Sequence, residues 1–215
     1  VQGFQVFDTA QRSAVRSILA DTAALTGLSF REIGEATGAR GQIRLGISQQ
    51  ADTKGLTVLP GIPGAGDSAG DILMDLQSVL VLTPGSEGFA VLRHELGHAL
   101  GLRHPRNYEN SDFRSDSFRI EDDTPANTVM SDVASASGLY RSTWGPLDVI
   151  ALRALYGTHA VGTGDNVYVP GESAGASLGL LVDDAGNDTL DVSGTNAGAQ
   201  IDLRPGHASS FGRTS

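Results

Sequence analysis

A chain of 215 residues, 40% of them apolar, is long enough for a sizeable core and predicts one large domain or one domain with an appendage. Its net charge of −10 argues against a nucleic-acid footprint. Lys54 is the sole lysine, no window gathers the cations that bind anionic lipid, and no apolar run is long enough to insert in a membrane. The absence of cysteine excludes disulfide frameworks, thiolate nucleophiles and cysteine-based metal sites, so any metal must rest on histidines and carboxylates. Glycine is in excess, 28 of 215 residues, which signals many turns. The start at Val1, without Met or a leader-like pattern, reads as a processed or trimmed end.

The first helix is predicted over residues 9–25, with Asp8 or Thr9 as its cap, Ala14, Val15, Ile18 and Leu19 at helical spacing, and Gly27 as its stop. Strand-like alternation follows at residues 28–33, at Ile43, Leu45 and Ile47, at Leu56 and Val58, and over 72–76. Between the last two, residues 60–70 carry too much glycine and proline for regular structure and read as a surface loop. Ser86 is placed to cap a second helix whose apolar side holds Phe89, Leu92, Leu96, Ala99 and Leu100, with Gly101 to end it. Residues 103–128 read as an irregular excursion. Pro146 opens a third helix with Leu147, Ile150, Ala154 and Leu155 inward and Gly157 closing it.

Beyond Gly157, seven acids face two arginines, and short strand-like pieces at 166–169, 178–182, 189–192 and 199–203 alternate with Gly/Asp/Asn turns. The predicted division is 1–157 for the main domain and 158–215 for a β-rich appendage.

The chemistry concentrates in His94-Glu95-Leu-Gly-His98-Ala-Leu-Gly101-Leu-Arg-His104. His94 and His98, four apart on a helix, project from one face, and Gly101 lets the backbone turn so that His104 comes round as a third nitrogen ligand. Three neutral imidazoles on Zn²⁺ leave a position open for water, which is a catalytic arrangement. Glu95 lies off the metal axis, suited to take a proton from a zinc-bound water attacking a carbonyl and to return it to the leaving amine. From this chain's own residue frequencies the five fixed positions coincide by chance with a probability of about 10⁻⁵. His159 and His207, isolated in polar or glycine-rich stretches, read as solvated.

Downstream, Thr128-Val-Met130-Ser131-Asp132 resembles the Met-turn of the metzincins, which sets a methionine beneath the histidine ligands. Within that group the chain is similar to the serralysins, secreted bacterial metalloproteases with a calcium-binding β-roll. The likeness runs through Thr83-Pro-Gly-Ser86, the histidine motif with Pro105, the Met-turn and the helix from Pro146 to Gly157. It continues into Thr163-Gly-Asp-Asn-Val-Tyr168 and Asp184-Ala-Gly-Asn-Asp-Thr189, the latter like one unit of a calcium repeat.

The resemblance implies an α+β metzincin domain: a twisted, mostly parallel sheet with an active-site helix, Met-turn and C-terminal helix, followed by part of a β-roll. It implies endopeptidase action on proteins or peptides, with substrate along an edge strand at Leu56, Thr57, Val58 and Leu59, where main-chain pairing gives broad specificity. It also implies Ca²⁺ at Gly162, Gly164, Asn166, Asp184, Gly186 and Asp188, an oxygen-rich set suited to a hard cation. Secretion, by bacterial type I export with cell-surface association as a variant, follows from the same likeness. A proteinaceous inhibitor or a surface-layer protein are further candidate partners.

Two departures stand out. The family carries tyrosine two positions after the Met-turn methionine, where this chain has Asp132, a further candidate zinc ligand and a poor oxyanion donor; Tyr140 is the candidate substitute. The chain also ends after one repeat-like unit, which reads as a fragment made by design or by proteolysis. If Asp132 fills the open position, the alternative is a zinc-binding pseudoprotease or a surface-layer or adhesin-like interaction module; the intact Glu95 argues against it. A purely structural zinc has Asp132 as its one evident fourth ligand.

Overall fold

The computed structural model describes residues 3–34, 38–105, 120–170, 177–195, 198–204 and 207–211. Asp8 starts the first helix, α1 (Thr9–Thr26), by a reciprocal cap in which its carboxylate accepts from Gln11 N and Gln11 Oε1 accepts from Asp8 N, each at 2.8 Å. Gly27, with φ of 75°, closes it in the left-handed conformation.

The main sheet follows. Strands β1 (Arg44–Ser48) and β3 (Asp71–Asp75) pair in parallel, and the Arg44 guanidinium forks onto the opposite Asp71 at 2.7 and 2.5 Å, pinning the register. Strand β2 (Gly55–Thr57) pairs antiparallel with β3, giving the order β1-β3-β2 with β2 at an edge. Helix α2 (Glu87–Ala99) packs on β2 and β3, and α1 packs against α2 and α3 (Pro146–Tyr156). Ile18, Ile72, Met74, Phe89, Leu92, Leu96, Trp144 and Leu152 fill the core between these layers. Arg93 is buried beside the rings of Phe89 and Trp144 and donates to Asp21 at 2.7 Å and to the Ser142 carbonyl at 2.9 Å, which ties α2 to α1. Beyond α3, β4 (Val167–Tyr168) pairs in parallel with β5 (Thr189–Leu190), and β6 (Ala199–Gln200) antiparallel with β7 (Ser210–Phe211). The whole is a mixed α+β arrangement.

Four expectations are corrected. Among the described residues the main sheet has one parallel and one antiparallel pairing, so it is mixed and not mostly parallel. The stretch between β2 and β3 holds no α-helix to carry the chain across the sheet, so β3 returns antiparallel. Residues 28–33 form no strand; their alternation finds no ladder partner, and Glu32 instead pairs with Arg16 of α1. Residues 178–182 make a single bridge, Leu178 with Arg141, and Leu180 N is taken by the Thr143 hydroxyl at 2.7 Å, which stitches the segment to the residues before α3.

Finally, α3 is rotated from its expected face: Asp148, Val149 and Leu152 are buried, whereas Ile150 and Leu155 are 65% and 56% exposed. The Asp148 carboxylate sets that rotation. It accepts from Gly145 N at 2.7 Å, Val129 N at 2.8 Å and the Thr128 hydroxyl at 2.5 Å, bonds that are strong when buried.

Candidate active site

Ser86 caps α2, accepting from Phe89 N at 3.2 Å, and the buried side of the helix fixes which way His94 and His98 project. At the other end Gly101, with φ of 90°, makes the turn that brings His104 back over the helix. His104 Nε2 lies 2.9 Å from both His94 Nε2 and His98 Nε2.

The opposite ring nitrogens all face oxygen acceptors. His94 Nδ1 is 2.8 Å from the Val129 carbonyl, His98 Nδ1 is 2.9 Å from the Leu102 carbonyl, and His104 Nδ1 is 3.0 Å from Asp132 Oδ2. Oxygens that only accept require a proton on each Nδ1, which leaves three Nε2 lone pairs pointing at one another. That arrangement is repulsive on its own and suited to a shared metal ion. Burial holds both His94 and His98 below the usual histidine range, against the raising effect of their carbonyl bonds, and so keeps them neutral as metal binding requires.

Met130, 2% exposed, lies under this helix: a Cβ added at Gly97 would stand 2.6 Å from its sulfur. Glu95 is buried beside the histidines and its carboxylate accepts from the Thr57 hydroxyl at 2.6 Å. Burial raises its pKa, while the Thr57 bond and the adjacent His98 and His104 oppose the rise. Asp132, a candidate ligand on sequence grounds, is turned elsewhere. Its oxygen meets the Nδ1 side of His104, and among the described residues the donor atoms within 4.8 Å of one another are those of His94, His98 and His104. The Tyr140 hydroxyl bonds Glu87, which also pairs with Lys54, in the first turn of α2, and both residues line the cleft over the histidines. Seven residues of helix separate Glu87 from His94, about 10 Å.

A cleft of about 1940 Å³ runs over the histidines, with Gly55, Leu56, Thr57 and Leu59 along one wall and Leu80 and Val81 nearby. Leu56 is 56% exposed there, whereas Val58 turns its main chain to β3 through bonds with Asp71 and Gly70.

No protein-family model matches the chain. Serralysin C of Dickeya chrysanthemi is 29% identical over 242 aligned residues, which cover 98% of this chain and 49% of the relative. Metalloprotease AprA of Pseudomonas entomophila (strain L48) is 29% identical over 231 residues, 93% of this chain and 47% of the relative. Metallopeptidase AprA of Pseudomonas marginalis is 27% identical over 241 residues, 99% of this chain and 50% of the relative. Along nearly its whole length the chain is similar to the serralysin-type metzincins. It spans about half the length of the curated relatives it matches.

The residues expected to hold calcium come together only in part. Gly164 O and Asp188 Oδ1 lie 2.3 and 2.9 Å from the point where a Cβ on Gly186 would sit, and Asp188 Oδ1 accepts from Asn166 N at 2.9 Å. Gly162 sits against Asp183, an acid the motif reading passed over. Asp184 is turned to Arg153, whose guanidinium grips both carboxylate oxygens at 3.0 and 2.6 Å. His159 and His207 are exposed.

Sequence reasoning also missed what holds the histidine cluster and Glu95 in place. Thr57 was read as substrate strand and not as the partner of Glu95, and Gly55 carried no motif. Asp148 had a legible signal, an acid at the third position of a helix opened by Gly145-Pro146, the pattern of a residue that reaches back to the cap.

Proposed function

We propose that the chain carries the catalytic part of a secreted zinc endopeptidase that hydrolyses peptide bonds in proteins. What carries this reading is the convergence of the three Nε2 atoms, each backed by an oxygen on its Nδ1, with the Glu95 carboxylate beside them. His94, His98 and His104 would hold the zinc, and Met130 would floor the site. Bound there, zinc supplies Lewis acidity that polarises a peptide carbonyl and acidifies water.

The chain's own residues do the rest. Glu95 takes the proton of the attacking water, and its burial, which favours the protonated carboxyl, suits it to deliver that proton to the leaving amine. Thr57 holds the carboxylate in place for both steps. An extended substrate adds along β2, the sheet edge beside the cleft, with Leu56 exposed to meet its side chains. The alternative of a zinc-binding module without catalysis rested on Asp132 in the open position, and its contact with His104 Nδ1 removes that ground. Residues 1–157 are read as the catalytic domain and 158–215 as the start of a β-roll. For secretion, the support is the named relatives alone.

The zinc-loaded chain is expected to cleave unfolded casein, and Glu95→Ala to leave the substrate intact. Intact casein with the parent protein, at stoichiometric zinc, would overturn the reading.

Calcium is proposed for the glycine-rich turns, held by the Gly162 and Gly164 carbonyls, Asn166, Gly186 and Asp188. Asn166 Oδ1 is buried without a hydrogen-bond partner, an oxygen that a hard cation would satisfy. The Asp184 carboxylate, paired with Arg153, is left out of this set. Calorimetric titration with Ca²⁺ should give a binding isotherm that Asp188→Ala abolishes; no heat from the parent would sink the calcium site.

A further inference from the structure

His94 and His98 are held by a helix, and His104 is not. It lies outside the helix, in the stretch that follows Gly101. Its two helical neighbours give their Nδ1 protons to main-chain carbonyls, which are neutral acceptors. Among the described residues, His104 Nδ1 instead meets a carboxylate, Asp132 Oδ2 at 3.0 Å. A carboxylate holds the proton on Nδ1 more firmly than a carbonyl does, locks the tautomer that frees Nε2, and makes Nε2 a stronger donor. The Asp132 side chain is 58% exposed, so it meets His104 from the surface and not as part of the core.

We propose that Asp132 is a positioning residue of the metal centre and not one of its ligands. It orients the His104 ring and strengthens the grip of that ring on a divalent metal, acting wholly through the imidazole. The inference rests on the reading of His94, His98 and His104 as the metal site.

The test is the zinc affinity of the chain, measured by competition with a chromophoric chelator for the parent, Asp132→Ala and Asp132→Asn. It is joined by the visible absorption of each protein loaded with Co²⁺. Asp132→Ala should bind zinc about 10- to 100-fold more weakly. Asp132→Asn, which still offers Nδ1 an oxygen, should fall between it and the parent. The cobalt bands should keep the parent's intensity in both variants, because the ligand count is unchanged. An Asp132→Ala affinity within about twofold of the parent overturns the proposal. So does a cobalt spectrum whose intensity changes as it would on losing a ligand. So does a metal-free melting temperature that falls in both variants, since that marks a structural role. If the parent binds no zinc, the metal-site reading fails first and this inference with it.

Discussion

Gly55→Ala is expected to lose about 10²-fold in kcat while keeping its fold and its zinc. A Cβ at Gly55 would stand 2.6 Å from Glu95 Cγ, 2.7 Å from its Oε1 and 2.8 Å from its Cδ. Those atoms are the movable end of a side chain, and Gly55 has an ordinary backbone conformation that alanine can adopt, so the protein relieves the clash by swinging the carboxylate aside. In doing so it breaks the 2.6 Å bond from Thr57 and moves the proposed proton acceptor by something on the order of 1 Å, a displacement that reaction geometry punishes heavily. The full loss of the group, in Glu95→Ala, sets the floor at about 10²–10⁴-fold. Casein hydrolysis, zinc content and thermal melting measured together check the prediction. Activity within about threefold of the parent would mean that the position of Glu95 matters little.

Asp148→Ala should cost stability on the order of 3–5 kcal/mol, the scale for removing one member of a buried charged network. The carboxylate is 2% exposed and satisfies two backbone N–H groups and a hydroxyl, all of which would be left buried without an acceptor. Arg141, pushed down to about 10 by its own burial, would also lose an opposing charge. The damage extends to the proposed metal site, because Val129 donates its N–H to Asp148 and accepts from His94 Nδ1 on its carbonyl. Urea denaturation of the metal-free protein, with an unchanged slope, gives the figure, and Asp148→Asn, which keeps one acceptor oxygen, should lose less. A cost under about 1 kcal/mol would assign the network no structural weight.

These two residues mark where sequence reading succeeds and where it stops. The convergence of the histidines is legible because it follows from a local spacing: four residues on one helix face, then a glycine and a return. Ser86, Gly27 and the Asp8 cap were legible for the same reason, since each bonds within its own turn. Gly55 meets Glu95 across 40 residues, and Asp148 meets Val129 across 19, separations that no periodicity records. The face of α3 was misread because apolar periodicity weighed Ile150 and Leu155 and gave no weight to a carboxylate with three donors waiting for it. Residues 28–33 had the alternation of a strand without a partner, and alternation describes a face, not a neighbour.

The grip of Arg153 on Asp184 joins the end of α3 to the glycine-rich turns, and it does so with a positive charge the chain supplies for itself. An acid-rich turn whose cohesion came only from calcium would repel itself and let go whenever the ion was scarce. Here one of the acids is already neutralised from within, with its side chain 26% exposed and that of Arg153 17% exposed, sheltered enough that salt screens the pair only in part. The end of α3 and the glycine-rich turns are therefore joined by a charge pair that needs no bound ion to hold.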